Sequence, residues 1–391
     1  MADLNGDAWP DLYVVNYVEG PQMFERSCLL ADGSPRLCTP YEFQATHDRL
    51  YLNLGDGRFR DVSADADILV PDGKGLGIVT ADFDNSGQLS LFVGNDTVPN
   101  FFFRNRTARP GDVPLFVELG FVAGLAVDGE GRSQACMGVA CGDANEDGLV
   151  DLFVTNFYQE ANTLYVQQPG LLFSDDTRLA GLYEPGFSQL GFGTQFLDAD
   201  LDGRLDLVVT NGHVGNLSHT GVPYQMPTQF YRNTGSGKFV ELPASQLGDF
   251  FEAKHLGRGL ARLDWNRDGL DDFAVSHLEE AVALMTNQTT TDNQFISFQL
   301  RGVTSARDTI GATVTVTCGL NRLTRQLTAG DGYHASNERR LTFGVGRAAR
   351  IDTVEVRWPS GSAQSYGDLP VSSEFLLIEN QPTPVLLSRL E

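Results

Sequence analysis

The chain has 391 residues, of which 41% are hydrophobic and 20% are charged, so it carries enough apolar side chains for a packed core and global disorder is not expected. Acidic residues outnumber basic residues by 51 to 28, and the formal net charge of −23 argues against nucleic acid or anionic lipid as partners. No stretch approaches the roughly 18 consecutive apolar residues of a membrane-spanning helix, so none is predicted.

An acidic motif with the template D-x-[DN]-x-D-G-x-x-D recurs along the chain. Each copy runs directly into a short apolar stretch rich in β-branched residues, which predicts a strand after every loop. Gly-rich turns downstream, as at Asn53–Phe59 and Asn233–Phe239, predict hairpins. In chain order, the copies occupy Asp3–Asp11, Asp82–Ser90, Asp143–Asp151, Asp198–Asp206 and Asp264–Asp272.

The spacing of the motif matches the chemistry of calcium, a hard cation that takes six to eight oxygen ligands at about 2.3–2.6 Å. Alternate residues at loop positions 1, 3 and 5 can turn their side-chain oxygens toward one ion. Glycine at position 6 permits a sharp bend, after which the carbonyl of position 7 also faces the ion. The acid at position 9 closes the shell. The third copy would therefore use Asp143, Asn145, Asp147, the carbonyl of Leu149 and Asp151.

The five copies are unequal, and we expect about four filled calcium sites. The first copy has Ala8 in place of the turn glycine, and the second has Ser86 and Ser90 at positions 5 and 9, so the second site is expected to be weak or empty. The candidate metal ligands are Asp3, Asn5, Asp7 and Asp11; Asp82 and Asp84; Asp143, Asn145, Asp147 and Asp151; Asp198, Asp200, Asp202 and Asp206; and Asp264, Asn266, Asp268 and Asp272.

Two other interpretations of the motif are an ordinary turn and an EF-hand. Asp, Asn and Gly are ordinary turn formers, so one copy alone would be more typical of a turn than of a metal site, whereas five copies in register favour metal. An EF-hand requires a glutamate at position 12 on an exiting helix. All five copies place valine there, within runs typical of strands: Val14, Val93, Val154, Val209 and Val275.

Short strands in units of about 60 residues favour a radial β-propeller. The repeats resemble FG-GAP/VCBS repeats, the calcium-bearing blades of integrin-α-type propellers, and segments such as Gly73–Asp84 resemble bacterial members of the cartilage acidic protein family. The C-terminal part resembles an ASPIC/UnbV domain in four segments. These are Ile310–Val316, Gly330–Ser336, Phe343–Gly346 and Val354–Gly361.

The resemblance implies an all-β protein in which a propeller, usually of seven blades, precedes a small β-sandwich or barrel domain. Five units are visible, so two blades and a signal peptide are expected upstream. The polar run Asn287–Gln294 resembles a linker, and the alternating Thr313–Cys318 predicts a strand beyond it. The predicted domains are a propeller over 1–290, a β domain over 291–381 and a loose tail over 382–391.

The cysteine pattern predicts one disulfide and three free thiols. Cys28 and Cys38 lie in a turn-rich insert and would form a disulfide in an oxidising compartment. Cys136 and Cys141 would lie about 16 Å apart on opposite faces of an extended strand, which favours two buried thiols. Cys318 shares a strand face with apolar neighbours and is expected to be a buried thiol.

The predicted function depends on which motifs the sequence contains and which it lacks. There is no G-x-S-x-G elbow, P-loop or H-E-x-x-H, and the histidines show no metal-binding spacing, so a non-enzymatic role is favoured. We expect a calcium-binding, secreted, extracellular or periplasmic interaction or adhesion module with a protein or glycan ligand. An accessory or tailoring role in natural-product biosynthesis, suggested by UnbV relatives, and a purely structural repeat protein are the alternatives.

Overall fold

Five antiparallel sheets follow one another along the chain before a separate pair of sheets begins. The computed structural model describes residues 1–20, 23, 25–29 and 33–390. Three of the five sheets have four strands, and the first and fifth have three in the described part of the chain. Every acidic loop leads directly into a strand, as the β-branched runs predicted.

Within each of these five sheets, neighbouring strands pair in the order in which they follow along the chain. The first contains β1 (Leu12–Val14), β6 (Arg49–Asn53) and β7 (Phe59–Asp61). The second contains β8 (Gly75–Ala81), β9 (Ser90–Asn95), β10 (Phe101–Asn105) and β11 (Phe116–Glu118). The third contains β12 (Val139–Gly142), β13 (Asp151–Val154), β14 (Thr163–Gln168) and β15 (Leu172–Asp175). The fourth contains β16 (Gly191–Leu197), β17 (Asp206–Asn211), β18 (Gln229–Asn233) and β19 (Phe239–Glu241). The fifth contains β20 (Gly257–Leu263), β21 (Asp272–His277) and β22 (Ala283–Met285).

An insert between β1 and β6 carries two small hairpins. Cys28 and Cys38 form a disulfide there, with their Cα atoms 5.2 Å apart, which confirms the predicted pairing. The hairpin strands are β2 (Val18–Glu19), β3 (Cys28–Leu29), β4 (Pro35–Arg36) and β5 (Gln44–Ala45), paired β2 with β5 and β3 with β4.

Neighbouring sheets pack face to face and share apolar clusters. Phe92 of the second sheet lies in one cluster with Leu152 of the third, and Phe153 of the third lies in the next cluster with Leu207 of the fourth. The first strands β8, β12, β16 and β20 contact one another in succession. This radial order is that of a β-propeller, and the predicted fold class is confirmed.

The C-terminal domain is a sandwich of two four-stranded sheets. Phe298, Phe343 and Trp358 are fully buried between them. One sheet has the order β26 (Leu341–Gly344), β23 (Phe295–Arg301), β29 (Ser373–Ile378) and β30 (Val385–Arg389). The other has the order β25 (Asn321–Gln326), β24 (Thr313–Cys318), β27 (Arg350–Arg357) and β28 (Ala363–Pro370).

The end of the chain differs from the expected loose tail over 382–391. Residues Val385–Arg389 form β30, which pairs antiparallel with β29 as an edge strand. The prediction was wrong here because the segment is short and pairs through its backbone, while its side chains stay exposed and show no burial pattern in the sequence.

The hub segment, defined as residues 328–340 of the C-terminal domain, crosses the first strands of the propeller sheets. Ala329 pairs with Thr80 of β8, and Gly332 pairs with Val139 of β12. Asn337 donates its side-chain amide to Gln195 of β16 over 2.8 Å. The two domains are therefore held together by backbone pairing as well as by side-chain contacts.

Helices are few and short in the described residues. None of them is long and apolar enough to cross a membrane. The α-helices are α1 (Gly120–Ala123), α2 (Tyr183–Phe187) and α3 (Asp249–Glu252), and single 3-10 turns occupy Pro40–Glu42, Ser218–Thr220 and Ala244–Gln246. Of the cysteines outside the disulfide, Cys136 and Cys318 are buried and Cys141 is half-buried, and all three are free.

Candidate metal-binding loops

The five acidic loops share one backbone conformation. Two positions in each loop are left-handed, with φ between 58° and 75° at position 4 and between 72° and 98° at position 6. Position 6 is glycine in four copies, and Ala8 adopts the same conformation in the first, with φ of 72°. The missing glycine therefore leaves the shape of the first loop intact, although alanine is strained in this region.

The first carboxylate of each loop holds the turn together. In the third copy, Asp143 Oδ1 accepts the backbone N–H of Asp147 over 3.0 Å, and Asp143 Oδ2 accepts that of Gly148 over 2.8 Å. Equivalent bonds from position 6 reach Asp3, Asp82, Asp198 and Asp264. The loops are thus preformed around their first aspartate.

The ninth residue ties the start of its loop to the neighbouring strand of the sheet, or to a residue just beyond that strand. Asp151 accepts the backbone N–H of Ala144 over 2.9 Å and that of Gln167 over 2.8 Å, one on each oxygen. Asp11, Asp206 and Asp272 repeat both bonds. The acid at position 9 consequently has a structural role beside the ligand role that the sequence predicts for it.

The fourth loop brings three carboxylates together. Oxygens of Asp198, Asp200 and Asp202 all lie within 4.8 Å of one another, and this is the one such group of three or more acidic, histidine or cysteine side chains among the described residues. An oxygen cluster of this size matches a hard divalent cation. Asp206 lies outside this group, and its two carboxylate oxygens accept the backbone N–H groups of Ala199 and Asn233.

The fifth loop leaves one buried oxygen without a protein partner. Asp264 Oδ2 accepts the N–H of Gly269 over 3.0 Å and is bonded by Arg340. Asp264 Oδ1 is buried and has no hydrogen-bond partner among the described residues. A buried carboxylate oxygen is costly to leave unpaired, so this atom fits a cation held by the loop.

Three loops carry asparagine at position 3, and its amide contacts the neighbouring acid. Asn145 Nδ2 donates to Asp147 Oδ2 over 3.0 Å, and the same contact joins Asn5 to Asp7 and Asn266 to Asp268. These pairs show that positions 3 and 5 face one another in the first, third and fifth copies. A cation in these loops would have to replace the amide–carboxylate contact.

The second loop has the smallest set of acids. Asp84 forms an ion pair with Arg104 over 2.9 Å, and Ser90 Oγ accepts the N–H of Asn105 over 3.1 Å where the other copies use an aspartate. The loop keeps its shape, but only two of its positions offer a carboxylate, because serine stands at positions 5 and 9. A weak or empty second site remains the prediction.

Burial raises the pKa of several carboxyl groups at positions 1 and 9 of the loops. It raises the pKa of Asp143 to about 6, that of Asp198 to about 7, and those of Asp151 and Asp206 to about 8. Neighbouring carboxylates of the same loop add to the effect. In the folded loops these carboxyl groups therefore lose their protons less readily than in water. A bound divalent cation would lower their pKa again, because it favours the charged carboxylate.

Two arginines of the C-terminal domain contact the loops, and no sequence motif indicates them. Arg325 Nη2 lies 3.3 Å from Asp198 Oδ2, and Arg340 Nη1 lies 2.5 Å from Asp264 Oδ2. Both arginine side chains are largely buried, at 8% and 4% exposed. They lie 127 and 76 residues from their partners, so no local pattern could have indicated these contacts.

Comparisons with known families agree with the two regions of the fold. The profile of the FG-GAP-like repeat matches residues 3–93, and the profile described as ASPIC and UnbV matches residues 302–384. This chain combines FG-GAP-like repeats with an ASPIC/UnbV domain. The first two acidic loops lie within the residues matched as FG-GAP-like, and Arg325 and Arg340 lie within those matched as ASPIC and UnbV.

Curated relatives carry the name cartilage acidic protein 1. The human protein is 26% identical over 317 residues, covering 80% of this chain and 45% of its own length. The mouse protein is 26% identical over 369 residues, covering 93% of this chain and 51% of its own length. The chain therefore spans about half the length of these relatives.

Solved structures with some likeness include two from bacteria. The biofilm matrix protein Bap1 of V. cholerae is 10% identical with a TM-score of 0.33, covering 87% of this chain and 54% of that one. The BP39L lectin of Burkholderia pseudomallei is 11% identical with a TM-score of 0.34, covering 88% of this chain and 79% of that one. Similarity at this level carries no statement about function.

Proposed function

We propose that this chain is a calcium-binding, secreted β-propeller protein that acts as an extracellular or cell-surface interaction module. The observation that carries the metal part is the group formed by Asp198, Asp200 and Asp202 in a loop whose backbone recurs five times. The interaction part is supported by the FG-GAP-like repeats and by the cartilage acidic protein relatives.

Calcium suits the loops better than other common divalent ions. The donor atoms are carboxylate, amide and backbone oxygens, which are hard ligands, and neither cysteine nor histidine lies in any of the five loops. Magnesium would require a near-ideal octahedral shell at shorter distances, whereas loops supplying mixed side-chain and carbonyl oxygens match the larger and less demanding calcium ion.

The disulfide supports an oxidising location. Bonds such as Cys28–Cys38 persist in secreted and periplasmic proteins and are rare in the cytosol. A secreted protein would also meet the millimolar calcium at which extracellular modules commonly bind the ion. We propose that a protein or glycan ligand contacts loops at one face of the propeller. Retention of the full-length protein in the cytosol would contradict this part.

A calcium titration combined with thermal unfolding tests the metal part. Asp202→Ala and Asp147→Ala should each lose about one bound ion and part of the calcium-dependent rise in melting temperature, because binding free energy contributes directly to folding. Asp56→Ala serves as the control, since Asp56 pairs with Arg58 in an exposed hairpin turn outside the loops. Unchanged calcium stoichiometry in both loop variants would remove the assignment.

A further inference from the structure

Two histidines meet at the end of the fifth sheet that lies away from its acidic loop. His255 lies just before β20, and His277 ends β21. Their ring centroids are 5.0 Å apart. The acidic loop joins the opposite ends of the same two strands, so the pair and the loop are separated by the seven-residue length of β20, roughly 20 Å.

The Nδ1 atoms of both rings are occupied by acceptors. His255 Nδ1 lies 2.7 Å from Glu280 Oε2, and His277 Nδ1 lies 3.0 Å from the carbonyl oxygen of Ala281. A carboxylate and a carbonyl oxygen only accept hydrogen bonds, so each Nδ1 carries the proton. In the neutral rings, each Nε2 therefore presents a lone pair.

Both Nε2 atoms are buried and unpaired. Neither His255 Nε2 nor His277 Nε2 has a hydrogen-bond partner within the residues that the structure describes. Two adjacent buried acceptors without donors are unfavourable, since each has lost its hydrogen bonds to water without a replacement. A group that accepts an electron pair from the Nε2 atom of each ring would satisfy both atoms.

Ring stacking does not account for the pair. Phe250 stacks on one face of His255, with centroids 4.7 Å apart and planes inclined by 18°. The Phe250 centroid is 5.9 Å from that of His277. Because the three centroid distances are similar, the line from His255 to His277 points in a very different direction from the line between His255 and Phe250. His277 thus lies beside the edge of the His255 ring and not over its face, with the two planes inclined by 38°.

We propose that His255 and His277 bind a borderline divalent transition-metal ion, of the zinc and copper class, through their Nε2 atoms. Imidazole nitrogen suits these ions, whereas calcium requires oxygen. With metal–nitrogen distances of about 2.0–2.1 Å and tetrahedral angles, the ring centres in a two-histidine zinc site lie about 5 Å apart. The observed 5.0 Å agrees with this geometry.

Glu280 acts as the positioning residue of the site. A metal-binding histidine commonly donates its other ring N–H to a carboxylate or a carbonyl, which fixes the ring and increases its basicity. Glu280 does this for His255 and is itself bonded by the side-chain amide of Gln225 over 3.2 Å. The proposal uses neither the acidic loops nor calcium, so it stands or fails independently of the proposed function.

Zinc binding by the full chain tests the site. Zinc would be titrated against a chromogenic chelator in excess calcium, which keeps oxygen-only loops from taking up zinc. The wild type should bind one zinc ion, and His255→Gln and His277→Gln should each weaken binding at least tenfold. Glu280→Gln should weaken it about tenfold, and His219→Gln, a change to an exposed histidine, should leave it unchanged.

Spectra of the copper-loaded protein test the ligand set directly. Electron paramagnetic resonance of the copper(II) form should show coupling to two imidazole nitrogens, and each histidine variant should lose one of them. Circular dichroism and thermal unfolding of each variant confirm that it is folded. Zinc binding that both histidine variants retain, zinc binding that excess calcium abolishes, or a wild type that binds no zinc against the chelator would overturn the proposal.

Discussion

Nη1 of Arg340 in the ASPIC/UnbV domain lies 2.5 Å from Oδ2 of Asp264, the first carboxylate of the fifth acidic loop. Arg340 also donates to Ser297 Oγ over 2.9 Å, so its guanidinium is fixed from its own domain. The contact holds Oδ2 of Asp264 in place, and Oδ1 has no hydrogen-bond partner among the described residues. A side chain of one domain thus positions a candidate metal ligand of the other.

Arg340→Gln should weaken cation binding in the fifth loop about 10- to 100-fold, because the partner that orients a metal ligand is lost. Terbium luminescence can report this loop, since Trp265 occupies its second position. The luminescence from the fifth loop is the part of the terbium emission that disappears in the Trp265→Phe variant. Arg339→Gln is the control, because Arg339 is half-exposed and pairs with Asp308 instead. Unchanged or tighter terbium binding in Arg340→Gln would contradict the positioning role.

The left-handed residue at position 6 of the loops predicts a graded series of stabilities. Ala8→Gly should raise the free energy of unfolding by about 1 kcal/mol, because it relieves the strain of alanine at φ of 72°. Gly148→Ala should lower it by about the same amount, since the nearest atom to an added Cβ is 3.9 Å away. Gly269→Ala should cost more, because its Cβ would lie 2.1 Å from Phe295.

Denaturant unfolding without added calcium measures this series, so that changes in metal binding do not contribute. The order of stability should be Ala8→Gly, wild type, Gly148→Ala and Gly269→Ala, from highest to lowest. Destabilisation by Ala8→Gly would show that the first loop does not share the conformation of the others.

Gly330→Ala should loosen the hub segment from the propeller. Gly330 has φ of 83°, and an added Cβ would lie 2.3 Å from the carbonyl oxygen of Ile78. The neighbouring pairing of Ala329 with Thr80 should therefore open, with faster hydrogen exchange at both backbone amides. Gly361→Ala is a matched control, because Gly361 has φ of 84° and open space around it. Equal exchange rates in both variants would argue against a docked hub segment.

Glu379 predicts an acid-sensitive C-terminal domain. Burial alone would raise its pKa, but hydrogen bonds from Ser360 and from the backbone of Val303, Ser305 and Thr304 outweigh burial and lower the pKa to about 2. A carboxyl group whose folded pKa is depressed stabilises the fold fully above its unfolded pKa of about 4.3. That contribution is lost as the pH falls from there through the folded value.

The unfolding free energy should therefore decline between about pH 4.3 and pH 2 in the wild type. In Glu379→Gln, stability should already be lower at neutral pH, because six donor groups lose their carboxylate acceptor. Its further decline with acid should be shallower. Parallel pH profiles for the two proteins, measured by denaturant unfolding, would show that Glu379 is not the group responsible.

Local sequence was sufficient to place the acidic loops and the strands that follow them. The valine at position 12 of each copy lies in the second strand of the sheet in four copies and in β1 in the first, because alternating burial and turn chemistry act over short distances. Thr313–Cys318 forms β24 over its whole predicted length for the same reason.

Contacts between distant segments could not be predicted in this way. Within the hub segment the sequence shows only a family resemblance at Gly330–Ser336, yet Ala329 pairs with Thr80 and Gly332 with Val139 across two domains. Arg340 and Asp264 lack any shared local pattern, and so do His255 and His277, which meet only because β20 and β21 pair. Ala8 departs from the glycine of the other four copies, yet surrounding bonds hold it in the conformation that glycine would adopt.

Anomalous diffraction from crystals grown in calcium tests the central claim most directly, because it locates the ions loop by loop. The account predicts anomalous peaks in the third, fourth and fifth loops, at about 2.3–2.6 Å from Asp143, Asp198 and Asp264, and a weak or missing peak beside Asp82. Ordered loops at saturating calcium with no peak in any of these three positions would contradict the account.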